Sequence, residues 1–204
     1  LLAHPASIDL RITISGKDQI LLEETLHKTK NAVYEILKEN IYGENGQSLE
    51  SVIAELLIRT RRTLAVAESC TGGLLGHRIT NIPGSSLYFR QSVVAYSNSS
   101  KIQLLGVKSE TIENYGAVSK ETVLEMARGI RNQAKTDCVI AISGIAGPSG
   151  GTKEKPVGLV YIAVIVGDKE IIRDYHFLGN RLEIKEKAVT TALDLLRREL
   201  LKTV

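Results

Sequence analysis

Residues 8–15 alternate apolar and polar side chains with a period of two: Ile8, Leu10, Ile12 and Ile14 against Asp9, Arg11, Thr13 and Ser15. That alternation predicts a half-buried strand, closed by Gly16-Lys17-Asp18. From Ile20 to about Leu37 the period lengthens to that of a helix, with Leu22, Leu26, Val33, Ile36 and Leu37 returning on one side. One strand and one helix bury little core, so residues 1–44 read as a small α/β module, and the polar run Glu44-Asn45-Gly46-Gln47 reads as a linker. Residues 45–204 form the second predicted domain. Ser48 is placed to cap a helix reaching about Thr60. Residues 63–67 make a short apolar strand, Leu74 to Thr80 a helix, and 92–97 a second buried strand. Asn98-Ser99-Ser100 is a turn or cap before residues 101–105. Ser119 caps a helix from Lys120 to about Gln133, apolar at Val123, Met126, Ala127 and Ile130. Residues 138–142 are a third buried strand. Residues 157–166 and 171–177 form a hairpin about Gly167-Asp168, and 181–201 the last helix.

Strands alternating with helices predict a three-layer α/β/α domain. Its sheet is mixed but mostly parallel, the terminal hairpin supplying the antiparallel part. A length of 204 residues, with 43% hydrophobic and 24% charged side chains, fits an ordinary globular chain. A net charge of +3 is too small to argue for nucleic acid or membrane as a partner. The charge is uneven: residues 1–44 carry 5 basic and 7 acidic side chains, against 21 and 16 in the remainder, so the second domain is the mildly basic one. Two cysteines, Cys70 and Cys138, make no disulfide framework or zinc spacing, and read as reduced thiols in a cytoplasmic protein. No apolar run approaches the roughly 20 residues that cross a bilayer. The opening Leu1-Leu2-Ala3 lacks both a signal-peptide start and an initiator Met, and reads as a piece of something longer.

Small and polar residues gather after three predicted strands, at 68–73, 96–101 and 143–151, where open α/β sheets bind ligands. Ser69 stands between a strand and a glycine-opened helix. It reads either as a helix cap with Thr71, or as a nucleophile beside N–H groups able to hold an oxyanion or a phosphate. The run around Ser69 has neither the Gly-x-Ser-x-Gly nor the Gly-x-x-x-x-Gly-Lys pattern. None of the four histidines (His4, His27, His77, His176) falls in the three segments, so the candidate base is Lys101, if burial lowers its pKa toward neutrality. A lysine at a helix start also reads as a solvated charge, and Tyr96 as a core residue with its hydroxyl at the rim. The run from Ser143 to Gly151 reads as a ligand cradle or a surface loop, and Arg181 as a phosphate clamp or a helix start.

Five ordered motifs resemble the C-terminal domain of the CinA (competence-damage-inducible) family: Glu68-Ser69-Cys70-Thr71-Gly72-Gly73, Val93-Val94-Ala95-Tyr96-Ser97-Asn98, Tyr115-Gly116-Ala117-Val118-Ser119, Ser143-Gly144-Ile145-Ala146-Gly147-Pro148 and Lys155-Pro156-Val157-Gly158-Leu159-Val160. The resemblance covers about residues 48–202. It implies nicotinamide-mononucleotide deamidase activity, releasing nicotinic acid mononucleotide and ammonia in the recycling of pyridine nucleotides. Ser69 would be the nucleophile, Lys101 its base and Tyr96 an aid to proton transfer. Thr71, Gly72, Gly73, Ser143, Gly144, Ala146 and Gly147 would bind substrate, with Ser143 binding or polarising the amide, and Arg181 would meet the phosphate. No metal or other cofactor is implied, and the resemblance suggests a homodimer. Two positions depart from the family pattern: Arg90-Gln91-Ser92 replaces a Gly-Gly pair, and Asn180 replaces an Asp.

Residues 1–44 more loosely resemble the KH-like module that precedes this domain in full-length relatives, without the Gly-x-x-Gly loop that would suggest RNA binding. In those relatives a nucleotide-pyrophosphatase domain lies further upstream. A second expectation therefore stands beside the enzyme: a catalytically silent nucleotide-binding or dimerising domain that supports such a pyrophosphatase. The joint presence of Ser69, Tyr96 and Lys101 separates the two, because a purely structural domain has no need of the lysine.

Overall fold

The computed structural model describes residues 1–4 and 6–203, which divide into two units, one up to residue 47 and one from residue 48 onward. In the first unit, β1 (Leu2–Ala3) and β2 (Ile8–Asp9) pair antiparallel, Leu2 opposite Asp9 and Ala3 opposite Ile8. The strand predicted over 8–15 is therefore cut to its first two residues. The reason is a missing partner: β1 has two residues to offer, and beyond Asp9 no ladder forms, although Ile12 and Ile14 keep the alternating, half-buried phase. Helix α1 (Gln19–Leu37) follows as the period predicts, with the Asp18 carboxylate accepting from the N–H groups of Ile20 and Leu21. No residue of α1 is buried. The Glu44 carboxylate is tied to α1 by Lys30 at 2.7 Å and by the Tyr34 hydroxyl.

In the second unit the elements run α2 (Leu49–Arg59), β3 (Leu64–Glu68), α3 (Leu74–Thr80), β4 (Phe89–Val94), α4 (Asn98–Leu105), α5 (Ser109–Tyr115), α6 (Lys120–Ala134), β5 (Cys138–Gly144), β6 (Leu159–Val166), β7 (Lys169–His176) and α7 (Arg181–Leu201). Two helices open where the sequence places caps. The hydroxyl of Ser48 accepts from Ser51 N, and that of Ser119 from Thr122 N. Asn180 forms a full capping box with Glu183.

The sheet order is β4-β3-β5-β6-β7. β3 pairs parallel with β4 and β5, while β6 runs antiparallel to both β5 and β7. Four strands thus point one way and β6 alone points back, giving the mixed sheet with helices on both faces. Alternate residues of each strand serve opposite faces. Ala65, Ala67, Val139, Ala141, Ala163 and Ile165 meet Val123, Met126, Ala127 and Ile130 of α6 in one core. Leu64, Val66, Ile140, Ile142, Ile162 and Val164 are equally buried and, by that alternation, line the other face. There α7 packs on β5 and β6, with α2 and α3 against it. Arg78 of α3 joins these helices, bonding Glu50 of α2 together with Glu186 (3.1 Å) and Thr190 (2.8 Å) of α7.

Two expectations need correction. The strand predicted over 92–97 runs from Phe89 to Val94, because it is set by parallel pairing with β3, Leu64 opposite Phe89 through Glu68 opposite Val94. It is also an edge strand, so Arg90, Ser92 and Val94 face solvent and it is only half buried. Among the described residues no helix is long and apolar enough to cross a membrane.

Direction matters for function. β3, β4, β5 and β7 all end at one edge of the sheet, and β6 begins there. Every segment the sequence marks as chemical follows one of those four ends. Ile140 lies in the central strand with no exposure, and Ile140→Ala is expected to lower unfolding free energy in urea by about 3 kcal/mol through the cavity it leaves. A loss under about 1 kcal/mol would mean that the two-faced core does not carry the fold.

Candidate active site

β3 stops at Glu68 because its neighbours hold it there. Ala95 N donates to Glu68 O at 2.8 Å from the β4 side, and Ser69 N donates to Ile142 O at 3.0 Å from the β5 side. The chain then turns through Gly72 and Gly73, at φ +62° and +95°, angles that cost a residue with a β-carbon strain. Gly73 is the N-cap of α3 and has no side chain with which to cap it. The cap comes from Glu68, wholly buried, whose carboxylate accepts from Thr71 Oγ1 (2.7 Å) and from the N–H groups of Gly73 (3.0 Å), Leu75 (3.1 Å) and Gly76 (2.8 Å). α3 passes close to the edge strand: a β-carbon on Gly76 would stand 2.6 Å from Ser92 Oγ, so Gly76 makes room for Ser92.

The Glu68 and Ser69 side chains leave the turn in different directions. The carboxylate goes to α3, and the Ser69 hydroxyl meets Lys101 of α4. Lys101 lies in the first turn of α4, whose N-cap Ser97 accepts from Ser100 N. Its Nζ lies 3.0 Å from Ser69 Oγ, 3.1 Å from Ala95 O and 3.4 Å from Tyr96 O. Lys101 is 2% exposed, and burial holds its amine below the ordinary lysine range. No carboxylate counters its charge among the described residues. This coordination suits a base. A neutral amine has two N–H groups for the two carbonyls and one lone pair for the Ser69 proton, and after protonation the same three neighbours accept three N–H groups. Cys70, next in sequence, is no competitor, because burial pushes its thiol up to about 12.

The other predicted residues fall around this pair. The Tyr96 side chain is 58% exposed, and its hydroxyl accepts from Arg181 at 2.7 Å. Its bond to Lys101 runs through the main-chain carbonyl instead. Arg181, first residue of α7, also donates to Gly147 O at 2.6 Å, so one guanidinium links the ends of β4 and β5. Ser143 is buried and donates to Ala117 O at 2.7 Å. Gly144 closes β5 opposite Val160, and Ala146 is buried. Lys155 donates to Tyr115 O (2.6 Å) and Val118 O (2.7 Å), fixing the glycine-rich loop to the segment that holds Ser143.

One expectation changes. The N–H groups of Gly72 and Gly73 are not free for an oxyanion: Gly72 N bonds Ser69 O, and Gly73 N bonds Glu68. Thr71 gives its hydroxyl to the same carboxylate. The N–H groups of Cys70 and Thr71 find no acceptor on another described residue. They are the donors left beside the Ser69 hydroxyl. Sequence reasoning passed over Glu68, Lys155 and Lys185. The last could have been found as the i+4 neighbour of Arg181 on one helix.

Fold and site together define an α/β domain with a buried serine–lysine pair at the carboxyl ends of its strands. The family model for the CinA C-terminal domain matches residues 46–200, and the chain belongs to that family. It is 50% identical over 201 residues to a CinA-like protein of Endomicrobium trichonymphae, covering 98% of this chain and 47% of the relative. A CinA-like protein of Syntrophomonas wolfei is 49% identical over 200 residues, covering 98% and 48%. The chain spans about half the length of the curated relatives it matches. Among solved structures, competence damage-inducible protein A (ComA) of Klebsiella pneumoniae superposes with a TM-score of 0.73 at 35% identity, covering 75% of this chain and 95% of that one. The CihA protein of Agrobacterium tumefaciens gives 0.70 at 35%, covering 78% and 99%.

The Glu68 cap is open to test. In Glu68→Gln the amide offers one acceptor oxygen to four donors and turns an NH2 group toward the rest. Unfolding free energy in urea should fall by about 2–5 kcal/mol as buried donors lose their acceptor. A change under about 0.5 kcal/mol would show that the turn does not need the carboxylate.

Proposed function

We propose that this domain is a serine amidohydrolase acting on nicotinamide mononucleotide, with Ser69 as nucleophile and Lys101 as general base. The observation that carries this reading is the 3.0 Å contact between Ser69 Oγ and an amine that is buried without a counter-ion. The family resemblance supplies the substrate, and the geometry is suited to amide hydrolysis. Neutral Lys101 takes the Ser69 proton, and the alkoxide adds to the amide carbon. The N–H groups of Cys70 and Thr71 stabilise the oxyanion, an interaction worth about 3–4 kcal/mol per donor in comparable sites. As the tetrahedral intermediate collapses, Lys101 returns the proton to the leaving nitrogen and ammonia departs. Water, giving a proton to Lys101, then adds to the acyl-serine. Collapse frees nicotinic acid mononucleotide and restores the Ser69 hydroxyl. Tyr96 and Arg181, joined at 2.7 Å, form the outer wall, with the arginine placed for a phosphate. The competing reading, a silent nucleotide-binding domain, gives no account of why the fold tolerates a desolvated amine at this position.

Purified protein given nicotinamide mononucleotide should release ammonia, and Ser69→Ala or Lys101→Ala should lower kcat about a thousandfold or more. The pH profile follows from the direction of the Lys101 shift. The amine must be neutral to act, so kcat/KM should fall about tenfold per unit below its pKa and level off above it, with the bend below the ordinary lysine value of 10.5. Absence of ammonia release from wild-type protein, or full activity in Ser69→Ala, would refute the proposal.

A further inference from the structure

Lys101 Nζ has three bonding positions besides its own carbon, and each has one occupant. Ala95 O at 3.1 Å and Tyr96 O at 3.4 Å fill two of them, and Ser69 Oγ at 3.0 Å fills the third. The two carbonyls belong to the main chain just past β4, where Ala95 N is tied to Glu68 O. Lys101 is 2% exposed and Ser69 7%, so anything that exchanges a proton with the amine does so beside the serine oxygen. Base and acid work through one position.

The other side chains at the ends of β3, β4 and β5 that could exchange a proton are committed elsewhere. The Glu68 carboxylate is saturated by four donors, one of them the Thr71 hydroxyl. Burial pushes the Cys70 thiol up to about 12. Ser143 gives its hydroxyl to Ala117 O, Ser97 accepts from Ser100 N, and the Tyr96 hydroxyl is bonded to Arg181. The nearest histidines in the sheet and its helices lie away from the corner. His77 is exposed on α3 beside Asn81, and His176 ends β7, three strands from β3 and so about 14 Å away at the usual strand spacing. Water that resolves an acyl-serine therefore has no position of its own. It enters where the leaving nitrogen stood, and it uses the same amine.

We infer that the domain is also an acyltransferase, passing the acyl group from Ser69 to small uncharged amines in competition with water and without a binding site for the amine. This rests on the serine amidohydrolase reading, which supplies the acyl-enzyme. The amine nitrogen adds to the acyl carbon while its proton passes to Lys101. The ester bond to Ser69 then breaks, and Lys101 returns that proton to the serine oxygen. A new amide leaves and the serine is restored. Ammonia is itself such an amine, so the first half of the cycle runs backward by the same step. The entering nitrogen must carry a lone pair and must be small, because the position lies among the buried side chains of Ser69, Cys70 and Lys101.

The test gives wild-type protein nicotinamide mononucleotide, or the methyl ester of nicotinic acid mononucleotide, with rising hydroxylamine, which is uncharged in neutral solution. Hydroxamic acid and carboxylic acid products are counted by chromatography and mass spectrometry. The ratio of hydroxamic acid to acid should double with each doubling of hydroxylamine, without levelling off. It should be the same from either acyl donor, because both pass through one acyl-serine. N-tert-Butylhydroxylamine should give no product, and Ser69→Ala should form neither product above the spontaneous rate. Ammonia and acid with no hydroxamic acid would show that water has a reserved position and overturn the proposal while leaving the amidase reading in place. A ratio that levels off, a ratio that depends on the donor, or a tert-butyl product overturns it in the same way. An ester that partitions as expected beside an amide that releases no ammonia would refute the amidase reading and leave the transfer standing. With no product from either donor, both fall.

Discussion

Four donors converge on one buried carboxylate at the end of β3, and the geometry of the site depends on that convergence. A strand that ends in a two-glycine turn would ordinarily leave a loose corner, since both glycines have wide conformational freedom. Glu68 removes the looseness by reaching past the turn to the first N–H groups of α3, while its own carbonyl is held by Ala95 and the next N–H by Ile142. Ser69 is thereby fixed from both neighbouring strands and from the helix ahead. The carboxylate also decides which N–H groups remain for chemistry. It takes those of the helix and leaves those of Cys70 and Thr71, directly after the serine.

With the corner fixed, the placement of Lys101 becomes meaningful. Burying an amine without a counter-ion disfavours its charged form, and that cost to the fold is what holds the Lys101 amine below the ordinary lysine range. The sheet meets part of that cost with carbonyls that have run out of ladder. Ala95 and Tyr96 lie just beyond the end of β4, and both turn their oxygens to the Nζ. A histidine would need a third group to fix its tautomer, whereas this lysine is oriented by main chain alone. The proposed acyl chemistry therefore needs none of the chain's histidines in its three chemical segments.

Most of the helices were legible because local signals and tertiary demands agreed. Ser48 and Ser119 cap where the apolar period begins, and α3 and α7 start and stop at the predicted residues. The strands were less legible. β4 begins three residues early because its length is dictated by β3, and residues 10–15 alternate like a strand but find no partner. α5 (Ser109–Tyr115), a short helix whose N-cap Lys108 makes no side-chain cap bond, was not foreseen. The same division runs through the site. Ser69 and Lys101 were named from motif and elimination, but their contact bridges 32 positions in sequence and only the β3–β4 pairing creates it. Tyr96 was expected beside the lysine, yet its position after an edge strand turns the ring outward to Arg181. Glu68 escaped notice because a lone acid at a strand end has no periodic signature. Its role appears only when the four donors are in place.

The single reversed strand is what brings the remaining parts to the serine. Had β6 run parallel to β5, its connection would have crossed to the far edge and covered the sheet with another helix. Because β6 points back, the chain leaving β5 re-enters the sheet at the same edge, and residues 145–158 hang over the strand ends as a glycine-rich loop. β7 reverses once more, so it also finishes at that edge and delivers Arg181 and Lys185 there at the start of α7. Arg181 then ties the loop to Tyr96, and Lys155 ties it to the segment before α6. The parallel half of the sheet supplies Ser69 and Lys101, and the antiparallel half supplies the walls and the cations. The division follows from strand direction alone, so residues far apart in sequence share one edge with no hinge or inserted domain to carry them.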